Sequence, residues 1–99
     1  MGKNLHTEAV DDLFKAILTL KTVEECYIFF EDACTINELL SLSQRFEVAR
    51  MLRDKKTYLD ISKKTGASTA TISRVNRCLQ YGDGGYARAL QTIRAENVQ

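Results

Sequence analysis

From residue 58 to residue 80 the chain reads YLDISKKTGASTATISRVNRCLQ. The side chains in this stretch that can do chemistry are cations and short hydroxyls: Lys63, Lys64, Ser68, Thr69, Thr71, Ser73, Arg74 and Arg77, with Ala70 among them. Arginine can grip guanine at two atoms, serine and threonine bond base edges or phosphates, and an alanine methyl can touch the methyl of thymine. Lysines neutralise phosphates without reading sequence. The set therefore suits binding to a structured polyanion better than bond-breaking, and the expected partner is double-stranded DNA.

Such residues work only if something holds them on one face. Residues 58–65 read as one helix, Gly66-Ala67-Ser68 as a tight turn, and 69–80 as a second helix, which is the spacing of a helix-turn-helix. Gly66 ends the first helix cheaply because it tolerates a left-handed backbone. Ser68 caps the second helix. Ile61, Ala67, Ile72 and Val75 supply the apolar contact between the helices, with Ser62 small where they approach. Thr69, Ala70, Ser73, Arg74 and Arg77 then form the outer face of the second helix, with Thr71 beside them, and Lys63 and Lys64 close the first. The plainer alternative is a helical hairpin with a solvated polar face. Against it stands the coincidence of cap, glycine, apolar registry and cationic outer face in one segment.

Charge supports the same segment. The net charge over 99 residues is +1. Residues 1–34 nevertheless carry three basic against seven acidic side chains, and residues 45–77 carry nine basic against three acidic. A local excess of that kind attracts a polyanion even when the total is near neutral.

The rest of the chain reads as helix. There is no proline, and only five glycines, so an all-α fold of six to seven helices is expected, in a single domain over 1–99. Ala9, Val10, Leu13, Phe14, Ile17 and Leu18 recur at helical spacing after Thr7. Thr22, Thr35 and Thr57 each precede a carboxylate by three residues, so helices should begin near 23, 36 and 58. In the second helix Val23, Cys26, Tyr27, Phe30 and Ala33 or Cys34 share a face, with Ile28 and Phe29 off it. A helix this apolar on most sides is expected at a subunit interface, which makes 7–34 the N-terminal dimerisation helices of a homodimer. Residues 36–54 read as a short helix and a longer one, with Ser43 capping the second. A last helix over 86–95 should turn Tyr86, Ala89 or Leu90, and Ile93 inward, and 95–99 should fray.

Residues 35–81 resemble the Trp repressor family, through Thr35-Ile-Asn-Glu38, Gln44-Arg45, Met51-Leu-Arg53, Thr65-Gly-Ala67 and Ala70-Thr-Ile-Ser-Arg74. Over about 8–92 the chain is similar to the YerC/YecD group of Trp-repressor-related proteins. The match rests on Leu20-Lys21, Glu24-Glu-Cys-Tyr27, Cys34-Thr-Ile-Asn-Glu38, Gln44 to Arg53 and Thr65 to Val75. The resemblance implies an intertwined helical homodimer and a transcriptional regulator, with 35–81 as its core and the helix-turn-helix at 57–80. It implies DNA contacts at Thr57 as well as at Thr69, Ala70, Thr71 and Ser73. It also implies an effector pocket around Arg74, with Arg45 or Gln44 as the second arginine position. Val75 stands where the Trp repressor has a glycine, and Cys78 replaces a nearby serine. The expectation is that Val75 occupies part of the pocket and that free L-tryptophan does not act on this chain. No replacement effector is indicated.

Other chemistries find little. The carboxylate pairs Asp11/Asp12, Glu24/Glu25 and Glu31/Asp32 are adjacent in sequence, and neighbours on a helix diverge by about 100°. Gly82-Asp-Gly-Gly85 lacks the preceding strand and the Lys-Ser/Thr ending of a phosphate loop. His6 is the one histidine, and Cys26, Cys34 and Cys78 contain no CxxC pair, so no metal site, cofactor or catalytic set is expected. The three thiols are expected as buried small side chains in a reducing compartment. No apolar run is long enough to span a membrane and the start of the chain lacks a signal-peptide core, so a cytoplasmic location is expected. The rival function is a helical module that binds protein or RNA.

Overall fold

Five hydroxyls decide where helices begin. In the structure, a computed structural model that describes residues 4–98, the order is α1 (Glu8–Ile17), α2 (Val23–Ala33), α3 (Ile36–Arg53), α4 (Tyr58–Thr65), α5 (Thr69–Tyr81) and α6 (Gly85–Val98). Thr7, Thr22, Thr57 and Ser68 each sit on extended backbone and accept the amide of the residue three further on. Thr35 does the same for Glu38 at 3.0 Å, and the Glu38 carboxylate accepts the Thr35 amide at 2.8 Å. That reciprocal pair satisfies two backbone donors that a helix start otherwise leaves open. At Thr22 the carboxylate reaches one residue further back, accepting the amide of Lys21 at 2.7 Å.

The contacts divide into two compact units, residues 1–39 and 40–99. The second has a core: Val48 and Ala49 of α3, Ile61 of α4, Ala67 of the turn, and Ile72 and Val75 of α5, all at most 2% exposed. Met51, Leu52, Tyr58, Leu79, Tyr86 and Leu90 pack half-buried around it. Four of the core residues are the ones expected to join the helices of the motif. In the first unit, α1 and α2 contain no buried residue. Phe14 is 55% exposed, Tyr27 56% and Leu18 80%.

Several expectations are corrected. Residues 36–53 form one helix rather than a short and a long one, and Ser43 lies inside it. A capping hydroxyl needs free amides after it, and this run has no glycine or proline to release them. In α2, Phe29, expected off the apolar face, is half-buried with Phe30 in edge-to-face contact at 5.2 Å; Val23 and Tyr27, of the face expected at a subunit interface, are exposed in the single chain. In α6, Tyr86 and Leu90 turn to the core, whereas Ala89 and Ile93 are exposed. The helix starts at Gly85 and continues through residues 95 and 96, where fraying was expected; Gln99 lies outside the described residues. The thiols are not buried: Cys26 and Cys78 are exposed and Cys34 is half-buried. Cys78 follows the buried Val75 by three residues, which carries it about 60° round the helix. Among the described residues no cluster of three metal-binding side chains is present, and no helix is long and apolar enough to cross a membrane.

Candidate nucleic-acid interface

The turn between α4 and α5 is built from three residues. Gly66 has φ 76, and its amide donates to the Ser62 carbonyl at 2.8 Å. A Cβ there would have room, since the nearest atom is 4.0 Å away; the glycine is required by its backbone angle and not by crowding. The Thr65 hydroxyl donates to the Ile61 carbonyl at 2.7 Å and accepts the Ala67 amide at 3.1 Å. Gln44 of α3 donates to the Thr65 carbonyl at 3.0 Å, fastening the end of α4 to the scaffold. A link across 21 positions leaves no local signature, so Gln44 could not be singled out in this role from sequence.

Beyond the turn, Ile72 and Val75 face inward and are at most 1% exposed. The opposite face presents Thr69, Ala70, Ser73, Arg74 and Arg77, all exposed, with Thr71 half-buried beside them. Lys63 and Lys64, also exposed, stand in the last turn of α4. The structure therefore brings the expected hydroxyls and cations onto the outside of one motif whose inside is dry. None of the exposed cations of this face is in an ion pair: the pairs among the described residues are Glu47–Arg50 and Asp54–Arg94. Two hydroxyls are partly committed. Ser68 accepts the Thr71 amide at 3.1 Å and donates to the Thr71 hydroxyl at 3.2 Å. Thr57 accepts the Asp60 amide at 3.1 Å.

α6 is held against α3 within the same unit. Arg53 donates to the Ala87 carbonyl at 3.0 Å, Arg94 pairs with Asp54 at 3.0 Å, and Phe46 meets Tyr86 at 6.3 Å between ring centres. Between these helices lies a cavity of about 650 Å³ lined by Phe46, Arg50, Arg53, Leu90 and Arg94 among others. A shallower one of about 420 Å³ touches Gln44, Lys64 and Thr65. Of the residues expected around an effector, Gln44, the alternative to Arg45, lines the smaller cavity, while Arg45, Arg74, Val75 and Cys78 line neither. Arg45 is half-buried and bonds Ser41 at 3.0 Å, Arg74 and Cys78 are exposed, and Val75 is in the core.

Comparison with known proteins agrees with this geometry. The family described as Trp repressor protein matches residues 8–94. The chain is 59% identical to YerC of Bacillus subtilis over 95 residues, 96% of this chain and 91% of YerC. A crystal structure of a TrpR like protein from Eubacterium eligens superposes with a TM-score of 0.88 at 67% identity, covering 90% of this chain and 92% of that one. A Staphylococcus aureus crystal structure gives 0.88 at 53% identity, with 91% and 90% covered. With residues 8–94 inside the family match and most of the chain covered by each relative, the chain belongs to the Trp repressor protein family.

Proposed function

We propose that this chain is a sequence-specific DNA-binding transcriptional regulator that acts as a repressor in the cytoplasm, reading the major groove with α5. The family is one of regulators and not of enzymes. The observation that carries the finer reading is the two-sided α5: Ile72 and Val75 lock it into the core while Thr69, Ala70, Ser73, Arg74 and Arg77 stand outside. Side chains at the start of such a helix enter the groove, and Thr69, Thr71 and Ser73 occupy that start. Thr57, Lys63, Lys64 and Ser68 flank it as phosphate contacts. Arg74, next to Ser73, and Arg77, about one turn beyond it, reach bases or backbone. The test is selection of bound duplexes from a random pool, followed by titration of the selected and a scrambled duplex with Ser73→Ala and Thr69→Ala. Each variant is expected to cost about 1 kcal/mol on the selected duplex and to leave the scrambled one nearly unchanged. Equal losses on both duplexes mean that α5 does not read bases. No binding to any duplex leaves the protein- or RNA-binding alternative.

The regulator is a homodimer on the same reading. Helices of 10 and 11 residues such as α1 and α2 are marginal in water without a packed face. Neither contains a buried residue, while Leu13, Phe14, Tyr27 and Ile28 are 44–66% exposed. Apolar surface of that extent on a short chain calls for a protein partner, and a second copy presents the same helices. Sedimentation equilibrium at micromolar concentration should give twice the chain mass, and Phe14→Asp should lower helicity and the dimer fraction together. A folded native monomer at that concentration contradicts the assembly. Two motifs in one dimer place the half-sites about 34–36 Å apart, in successive major grooves.

Free L-tryptophan is not the effector on this reading. Val75 is sealed in the core where the Trp repressor pattern has glycine, so its side chain fills space that the pattern leaves open.

A further inference from the structure

The turn that leads into the motif has a backbone its residue does not favour. α3 ends at Arg53, and the amides of Lys55 and Lys56 fold back to the carbonyls of Leu52 and Met51, both at 3.0 Å. This double closure puts the first residue past the helix cap in the left-handed region, a place usually taken by glycine because it has no Cβ. Here the residue is Lys55, with φ 66, the one non-glycine at positive φ among the described residues. The chain does supply glycine at its other two positive-φ positions, Gly66 and Gly84. Keeping lysine at this one lowers stability, and strained positions that persist cluster where ligands are bound.

Charge and place point to the ligand. Lys55 and Lys56 are both exposed. The carboxylate beside them, Asp54, is engaged by Arg94 at 3.0 Å, and neither lysine has an acidic partner among the described residues. Lys56 directly precedes Thr57, whose hydroxyl caps α4. Consecutive Cα atoms are about 3.8 Å apart, so the backbone of both lysines lies within two residues of the entry to α4, the end of the motif where Thr57 is taken to meet a phosphate.

We propose that the Asp54–Lys56 turn is a phosphate-binding site for the backbone of duplex DNA, with Lys55 its principal cation, and that its left-handed backbone is retained for that contact. The site rests on the DNA-binding reading above and adds a contact outside the helix-turn-helix. Phosphate contacts are indifferent to sequence, so a mixed-sequence duplex is a sufficient probe.

The experiment compares the native chain, Lys55→Gly and Lys55→Arg by thermal melting and by fluorescence titration of that duplex across salt concentrations. Glycine relieves the backbone, so Lys55→Gly should melt about 4 °C higher. It should also bind more weakly, with the slope of log K against log salt shallower by about 0.9 for each lost contact, and so by about 1.8 for a dimer. At 0.1 M salt the same relation gives about an eightfold loss for each contact. Lys55→Arg keeps the charge and should keep the native slope. A higher melting temperature with an unchanged slope in Lys55→Gly overturns the site and leaves the proposed function standing. An unchanged or lower melting temperature removes the strain on which the site is argued and overturns it as well. A native chain that binds no duplex overturns both readings.

Discussion

Replacing Lys63 and Lys64 together with alanine is expected to weaken binding to every duplex by about three and a half orders of magnitude at 0.1 M salt. Both side chains are exposed in the last turn of α4, immediately before the left-handed Gly66 that starts the turn into α5. Neither is in an ion pair among the described residues, so each is available to a phosphate. A dimer presents four such lysines. Each lost contact removes about 0.9 from the slope of log K against log salt, so full loss flattens it by about 3.6. Selected and scrambled duplexes should suffer alike, because phosphates carry no sequence. That separates these lysines from Thr69 and Ser73, whose replacement should change preference and hardly touch the slope. The variant should also melt slightly lower, since cations at a helix C-terminus favour the helix dipole, by about 0.3–1 kcal/mol at most. A slope equal to the native one would show that these lysines are solvated in the complex.

Val75→Gly should be the most destabilising of the substitutions considered, and tryptophan should not rescue it. In the resemblance this exchange restores the residue of the Trp repressor and so looks like the opening of a pocket. The packing says otherwise. Val75 is 1% exposed and lies in one cluster with Val48, Ile61 and Ile72. Removing its side chain leaves a void between α3, α4 and α5, and glycine also weakens the helix interior. The two terms together come to about 3–4 kcal/mol, or about 15 °C in melting temperature for a chain of this size. A ligand that bound the folded variant would raise that temperature with its concentration. Melting and calorimetry with free L-tryptophan should therefore show no shift and no saturable heat, in the native chain or the variant. A rising midpoint with tighter DNA binding would show that a tryptophan pocket survives and that Val75 does not fill it.

Local signals carried much of the fold. Thr22, Thr35, Thr57 and Ser68 start helices at the expected residues because capping needs only a hydroxyl and an amide three positions on. Gly66 was legible for a similar reason: its left-handed backbone is a property of one residue and its helix end. The inward face of α5 followed from periodicity, and the exposed set around Thr69 and Arg77 followed as its complement. The break expected within 36–54 is absent. Ser43 looks like a cap, but a hydroxyl inside an unbroken run of helix formers cannot free the amides it would bind.

Other features depended on distant chain segments meeting. Gln44 meets Thr65, Arg53 meets Ala87 and Asp54 meets Arg94 across 21, 34 and 40 positions. No local rule encodes such partners, because each depends on how helices pack. Lys55 belongs here too: lysine carries no preference for positive φ, and only the closure of α3 onto Leu52 and Met51 imposes it. Tertiary structure alone also left α1 and α2 without a buried residue. The sequence by itself determined where helices start and which side of α5 is apolar, since caps and periodicity act within a few residues. Which side chains are sealed, strained or paired was decided by packing, since burial depends on what the rest of the chain brings to that surface.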